Sequence, residues 1–417
     1  MSDAGDGFSE AAIEALLAPA IRRLPPPTSL SPLPFDLNAG VPDRDTLPWE
    51  ALADAARAAL AEDPGAALTY GGAMGYEPLR AWIAARQSDE TGLEVTSAHV
   101  TLTAGSAQAI DNVAAAFIAP GDIVITGAPT YPGAIRTFRA RGAVVIDVPQ
   151  DDDGMEMAAL ERVLETRRMT GHQAKLIYIT ANYDNPSGST LPLARREALV
   201  RIAREHGVLI LEDDAYTGID LDGPPPASLY SIAKGDGIMR CGTFSKTIAT
   251  GLRVGWVVAH PAIVRRLAFA RFDNGGSPFL HRTILHYVQS GAYDPHVKML
   301  CDLYRERRDI SAAALIDLAE PYVSFRRPAG GFFHWLHLAP GLTAQAVTDA
   351  AARHGVAVTP GTGYYANGGG EDRVRLVFSV LPPEELKVAI AAFAEGLAEA
   401  AAAVPSPHPS TRPSAPR

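Results

Sequence analysis

What most constrains the fold of this chain is a repeated alternation. Short apolar runs rich in β-branched residues are separated by stretches with helical periodicity. The runs are "HVTLTA" at 99–104, "DIVIT" at 122–126, "AVVIDV" at 143–148, "AKLIYIT" at 174–180, "VLILEDD" at 208–214 and "IMRCGTF" at 238–244. Between them lie patterns such as "AQAIDNVAAAF" and "PLARREALVRIAREHG". A strand apolar on both faces has to be covered on both. The alternation therefore predicts an α/β fold, with a mostly parallel sheet between layers of helices. From about residue 300 the character changes. "PAGGFFHWLHL" and "DRVRLVFSV" read as strands among alanine-rich helices, which predicts a second, smaller α+β domain.

The ends differ from this body. Residues 24–34, "LPPPTSLSPLP", form a proline-rich arm that cannot be a regular helix or a central strand. The closing "VPSPHPSTRPSAPR" has no apolar periodicity and is expected to be a disordered tail. A chain of 417 residues has room for two domains. Its net charge of −10, with no basic block, argues against a nucleic-acid partner. No apolar run reaches the ~18 residues of a membrane span, and the acidic, polar start "MSDAGDGFSEAAIEAL" is not a secretory signal. The two cysteines, Cys241 and Cys301, lack metal-like spacing and do not suggest a disulfide framework, so a cytoplasmic location is expected.

In open α/β sheets, ligands bind at the carboxyl ends of the strands. The polar residues there form an ordered set. After the run at 99–104, Gly105 and Ser106 open a helix, and free N–H groups at a helix start suit a phosphate or serve only as a cap. After 122–126, Tyr131 sits in "GAPTYPGA", able to stack on a flat ring or to pack within its loop. After 174–180 comes "ANYDNPSGSTL", where Asn185 belongs either to a simple turn or to a ligand contact. After 208–211, "EDDAY" places Asp213 and Tyr216 at the end of a nearly apolar run, where an acid is costly unless it is paired or functional. Last comes "TFSKTIATGLR". Lys246, flanked by Thr243 and Ser245 beyond a buried strand, is a candidate for Schiff-base formation, because desolvation makes a lysine amine nucleophilic.

These features, in this order, resemble the fold-type I pyridoxal 5′-phosphate enzymes of the class I/II aminotransferase group. The similarity extends to 2-aminoadipate aminotransferase-like enzymes and to the aminotransferase-like domain of MocR-type regulators. It is carried by "LTYGGAMGYEPLRAWIA", "LTAGSAQAI", "APTYPGA", "NYDNPSG", "EDDAY", "TFSKTIATGLRVGW", "PAGGFFHW" and "VRLVFS". The resemblance implies a division into an N-terminal arm that joins the small domain (1–48), a large cofactor domain (49–295), a small C-terminal domain (296–402) and a tail (403–417). It implies that Lys246 forms the internal aldimine with the cofactor and later shuttles a proton. Asp213 would pair with the pyridine nitrogen, while Tyr216 and Asn185 would hydrogen-bond the phenolic oxygen. Tyr131 would stack on the ring. Arg253, Thr243, Ser245 and the backbone of Gly105, Ser106 and Ala107 would hold the phosphate. Tyr70 would reach the phosphate of a neighbouring subunit, implying a homodimer with shared sites. Arg375 would bind the α-carboxylate of an amino-acid substrate, and Gly40 would line its pocket.

The chain also departs from the family's usual residues. Ala181 replaces a proline, Asp184 stands where Gln or His is common, and Gly127-Ala128 and Ala107 are unusual. Glycine pairs occur in "LTYGGAMGY" and "FDNGGSPF". Several of these positions lie where substrate selection is expected. They leave open a plain aminotransferase, or an enzyme that diverts the same carbanion to oxidation, decarboxylation or elimination. Asp184 is either a group that orients substrate or water, or a carboxylate that caps its own turn. A regulator with an N-terminal helix-turn-helix is disfavoured, since only about 35 residues precede "FDLNAG".

Overall fold

The computed structural model describes residues 8–22, 24 and 31–404. Residues 25–30 of the proline-rich arm and 405–417 of the expected tail lie outside the described residues. The apolar runs form the strands β1 (Val100–Thr103), β2 (Ile123–Ala128), β3 (Val144–Asp151), β5 (Ala174–Ile179), β6 (Leu209–Asp213) and β7 (Ile238–Thr243). The short β4 (Gly154–Met155) and β8 (Gly255–Val258) complete an eight-stranded sheet of order β1-β8-β7-β6-β5-β2-β3-β4. The central strands β7, β6, β5, β2 and β3 are parallel. β8 runs antiparallel to both β1 and β7. The carboxyl ends of β1, β2, β5, β6 and β7 therefore share one edge with the start of β8, just after Arg253.

Successive residues of a strand face opposite sides of the sheet. Leu176, Tyr178, Leu211, Met239 and Cys241 fill one core, and Ile177, Ile179, Ile210 and Ile238 fill another on the far side. Each fully buried Leu or Ile contributes about 1.5–3 kcal/mol, and this two-sided burial is what the apolar runs encode. The helix Ser106–Phe117 packs in the first of these cores through Ala109, Ile110 and Val113.

A smaller antiparallel sheet is built from β9 (Val323–Ser324), β10 (Phe333–Leu338), β11 (Thr359–Pro360) and β12 (Arg373–Val377), in the order β9-β10-β12-β11. It packs on the helices Ala344–Arg353 and Pro383–Ala402 in a third core. That core also takes in Leu37, Tyr183, Tyr216 and Ile219. Phe35–Asp36 pairs in parallel with Val356–Ala357, so the N-terminal segment is tied to this smaller unit. Trp335 and Arg375 lie opposite one another on β10 and β12.

Candidate active site

The shared strand edge opens into a cavity of about 300 Å³ between the large sheet and the smaller one. Of the residues singled out from the sequence, Gly40, Ser106, Ala107, Tyr131, Asn185, Asp213, Tyr216, Thr243, Ser245, Lys246, Arg253 and Arg375 all line it. Gly105 lies at its margin through contact with Arg253. Tyr70 does not line it and is 85% exposed.

At the end of β7 the chain turns tightly. Thr243 Oγ1 donates to Ser245 Oγ at 2.8 Å and accepts from the Ser245 N–H at 3.1 Å. Lys246 follows, and its Nζ donates to the Gly40 carbonyl at 2.7 Å and stands 5.5 Å from the Tyr216 ring centroid. Burial, then the guanidinium of Arg375, lowers its pKa to about 8, with Asp213 partly opposing. Tyr216 is held edge-on against Phe332 and Phe333, with ring centroids 5.6 and 5.5 Å away.

One end of the cavity collects donors. The helix Ser106–Phe117 starts there, and its first N–H groups have no intrahelical acceptor. Arg253 Nη2 reaches the Ala104 carbonyl at 2.9 Å. A Cβ on Gly105 would stand 2.8 Å from that nitrogen, so glycine is what lets the guanidinium lie over the helix start. The backbone of Arg253 is left-handed, with φ of 50°, a conformation that costs a non-glycine residue roughly 1–2 kcal/mol. This strain sits where the arginine is aimed at the cavity. Gly133 was not singled out from the sequence, yet a Cβ there would come within 2.4 Å of the Tyr131 ring. It clears the place the tyrosine occupies.

On the floor, Asp213 is buried, accepting from the Tyr178 phenol at 2.6 Å and from the Cys241 thiol at 3.5 Å. Burial raises its pKa to about 6, against those two donors. Tyr178 and Cys241 share its side of the sheet, and neither was singled out from the sequence as a site residue. On the roof, Arg375 Nη1 donates to Asn185 Oδ1 at 2.8 Å and Nη2 to the Asn38 carbonyl at 2.5 Å. Its guanidinium carbon lies 4.4 Å from the Phe333 ring centroid, and its buried Nε has no partner. Arg375 has no carboxylate partner among the described residues, so it is a buried cation awaiting one. Because Asn185 Oδ1 is engaged, its amide N–H₂ is the group left for a ligand. Thr180, Ala215, Thr250 and Phe333 also line the cavity without having been singled out.

Asp184 is not among the lining residues. It is 1% exposed, and its Oδ2 accepts from Ser187 Oγ at 2.8 Å within its own turn. That bond is the one expected of a carboxylate that caps its own turn. Gly127 has a packing reason as well: a Cβ there would collide with Gln150, whose Nε2 donates to the Pro129 carbonyl at 2.8 Å.

The donor set fits pyridoxal 5′-phosphate. The phosphate end presents hydroxyls, N–H groups and a guanidinium, the ring nitrogen would meet a buried carboxyl, and an amine of lowered pKa stands at the aldehyde end. The comparisons agree. The profile of the family described as aminotransferase class I and II matches residues 34–393. An aromatic-amino-acid aminotransferase of Thermococcus litoralis is 30% identical, over 94% of this chain and 94% of that one. The structure resembles the kynurenine aminotransferase of Pyrococcus horikoshii in complex with PMP, with a TM-score of 0.87 and 28% identity over 93% of this chain and 98% of that one. It also resembles LysN, the α-aminoadipate aminotransferase of Thermus thermophilus complexed with N-(5′-phosphopyridoxyl)-L-leucine, with a TM-score of 0.82 and 30% identity over 95% and 98% of the two chains. The chain belongs to the class I and II aminotransferases, enzymes of fold type I that depend on pyridoxal 5′-phosphate.

Proposed function

We propose that the chain transfers the amino group of an α-amino acid to a 2-oxo acid, with Lys246 as the residue that binds the cofactor and carries the proton. The observation that carries this reading is the joint placement of three groups in one cavity: the Lys246 amine, the buried Asp213 carboxyl and the Arg375 guanidinium, which has no carboxylate partner among the described residues. When bound, the cofactor supplies an aldehyde carbon and an electron-accepting ring that draws off the electrons of a cleaved Cα–H bond.

The chain's residues supply the rest. The helix start at Ser106 and Ala107, with Thr243, Ser245 and Arg253, holds the phosphate. Asp213, kept in place by Tyr178 and Cys241, holds a proton on the ring nitrogen. Tyr216 and the amide of Asn185 donate to the phenolic oxygen, and Tyr131 covers the ring. Arg375 takes the substrate α-carboxylate as a two-pronged donor and leaves the amino group facing Lys246. Lys246, deprotonated above about pH 8, would take the proton from Cα and deliver it to the carbon that brought the aldehyde, across the nitrogen between them.

Tyr70, 85% exposed and outside its own chain's cavity, supports a homodimer in which it serves the partner subunit's site. The separate cores support a large domain over 49–295 and a small one over 296–402, and the pairing of Phe35–Asp36 with Val356–Ala357 supports counting the N-terminal segment 1–48 with the small one. The two free cysteines support a cytoplasmic enzyme. Among the described residues, no helix is long and apolar enough to cross a membrane.

The test is to titrate the purified protein with single amino acids and a 2-oxo acid, recording absorbance, keto-acid product and oxygen together. Transamination gives stoichiometric amino transfer with no oxygen uptake. Oxygen uptake matching substrate loss would overturn the reading, as would failure of borohydride to fix the cofactor to Lys246.

A further inference from the structure

One buried carboxyl beside the site takes no part in the reaction just described. Asp184 lies in the turn after β5, 1% exposed. Its partners are neutral: Ser187, through hydroxyl and backbone, and the Thr180 hydroxyl. The titratable neighbour that acts on it is Asp213, on the adjoining strand, and it has no lysine or arginine ion-paired with it among the described residues. A carboxylate without a cation or solvent is costly. Burial first, and then the charge of Asp213, push Asp184 up to about 7 against the hydrogen bonds from Ser187 and Thr180.

The residue is connected in two directions. Inward, the Thr180 hydroxyl also acts on Tyr178, whose phenol donates to Asp213 at 2.6 Å. Outward, Ser187 Oγ and Ser189 Oγ lie 2.8 Å apart. Both serines line a second cavity, of about 340 Å³, on the far side of the turn beside Trp335 and His337. Asp184 is thus hydrogen-bonded through Ser187 toward a separate, open cavity on one side, while on the other the charge of Asp213 acts on it. The Gln or His common at this position in the family would place no acid there.

We propose that Asp184 is a positioning residue for Asp213: as a neutral carboxylic acid it leaves the negative charge of this layer on Asp213, and it releases its proton through Ser187 and Ser189 to solvent in the outer cavity as the pH rises. This rests on Asp213 being the partner of the ring nitrogen. Two carboxyls in one dry layer resist ionising together. The neutral acid therefore keeps Asp213 ionised and free to hold the ring proton, whereas ionisation of Asp184 raises the proton affinity of Asp213 itself.

The test uses thermal melting of the cofactor-free protein and the absorbance of the cofactor-bound protein, each against pH, for wild type and Asp184→Asn. The native state holds the Asp184 proton to higher pH than the unfolded chain does. Its contribution to stability is therefore complete below about pH 4 and is lost as the pH rises to about 7. Asp184→Asn lacks that loss. Its Tm should fall less than that of wild type between pH 5 and pH 8, by about 3 °C or more, and the pH-dependent change in the cofactor band over the same range should shrink. Melting and absorbance curves of the two proteins that change with pH in parallel would overturn the proposal. Should Asp184→Asn not fold, Ser187→Ala removes a hydrogen bond that lowers the Asp184 pKa and should move both transitions to higher pH. Unmoved transitions would overturn the proposal equally. The melting data do not depend on the cofactor, so a failure of borohydride trapping at Lys246 would be a separate result.

Discussion

Lys246 is reactive because of where its amine is held. Burial and two nearby guanidiniums, Arg375 and Arg253, disfavour its charged form more than Asp213 restores it, and the result is a pKa of about 8. The rate at which apoenzyme captures pyridoxal 5′-phosphate should therefore rise with pH through about 8 and level off above it, measured by stopped-flow absorbance. Lys246→Arg keeps a cation but has no nucleophilic amine. It should lower kcat by roughly 10²–10⁴-fold, the usual value of a positioned proton carrier, and abolish borohydride trapping. Arg375 has a different task. Its charge has no carboxylate partner within the described residues, and its plane lies against Phe333. Arg375→Lys keeps the charge and loses the second prong and the stacking. A hydrogen bond to a charged group is worth about 1.5–3 kcal/mol, so kcat/KM should fall about 10–100-fold, mostly through KM. Steady-state kinetics that show a loss confined to kcat would contradict the carboxylate role.

At the scale of elements, the strand ends were legible because each turn combines a rigid backbone residue with a polar side chain: Gly105-Ser106, Asn185-Pro186, Asp213 after an apolar run. The antiparallel β8 was not anticipated, although "VGWVV" is strand-like, because pairing direction depends on register rather than on pattern. It matters to the site, since only an antiparallel β8 brings Arg253 to the edge where β1 ends. Several of the unusual residues were expected to lie where substrate is selected, and the structure gives two of the glycines, Gly127 and Gly275, a packing reason. Gly72 and Gly275 belong to loops that meet. A Cβ on Gly275 would stand 1.9 Å from the Gly72 carbonyl oxygen, and the φ of Gly275 is 91°. Gly275→Ala should therefore destabilise the fold by about 2–4 kcal/mol, from left-handed strain together with overpacking. Gly237 is the control: its φ is 70°, with nothing within 4 Å of an added Cβ. Gly237→Ala should cost only about 1–2 kcal/mol. Urea unfolding of the two variants side by side checks the difference, and equal losses would show that the loop contact carries no weight.

For the whole molecule, the sequence disclosed which residues gather but not what supports them. Tyr178 and Cys241 look like ordinary strand interior, and their contact with Asp213 depends on β5, β6 and β7 lying side by side. Phe333 and Thr180 carry no local sign of the cavity they face. Tyr70 poses the opposite problem. It is plain in the sequence, yet in a single chain it stands outside the cavity at 85% exposure. Its loop touches the one that carries Gly275 and the 95% exposed Phe272. Two large aromatics so exposed on loops that meet are more easily understood as part of an interface than as free surface. If Tyr70 serves a partner's phosphate, the two subunits should complement each other. Lys246→Ala and Tyr70→Ala chains, co-expressed with different tags, would form half of their dimers as heterodimers, each with one site that has both native residues. Random pairing restores about a quarter of the sites in a closed twofold dimer. The purified heterodimer should show about half the wild-type kcat per dimer, well above either parent homodimer. If Tyr70 acts within its own chain, the heterodimer would do no better than the mean of its parents, because its one native Lys246 and its one native Tyr70 would never meet in the same site.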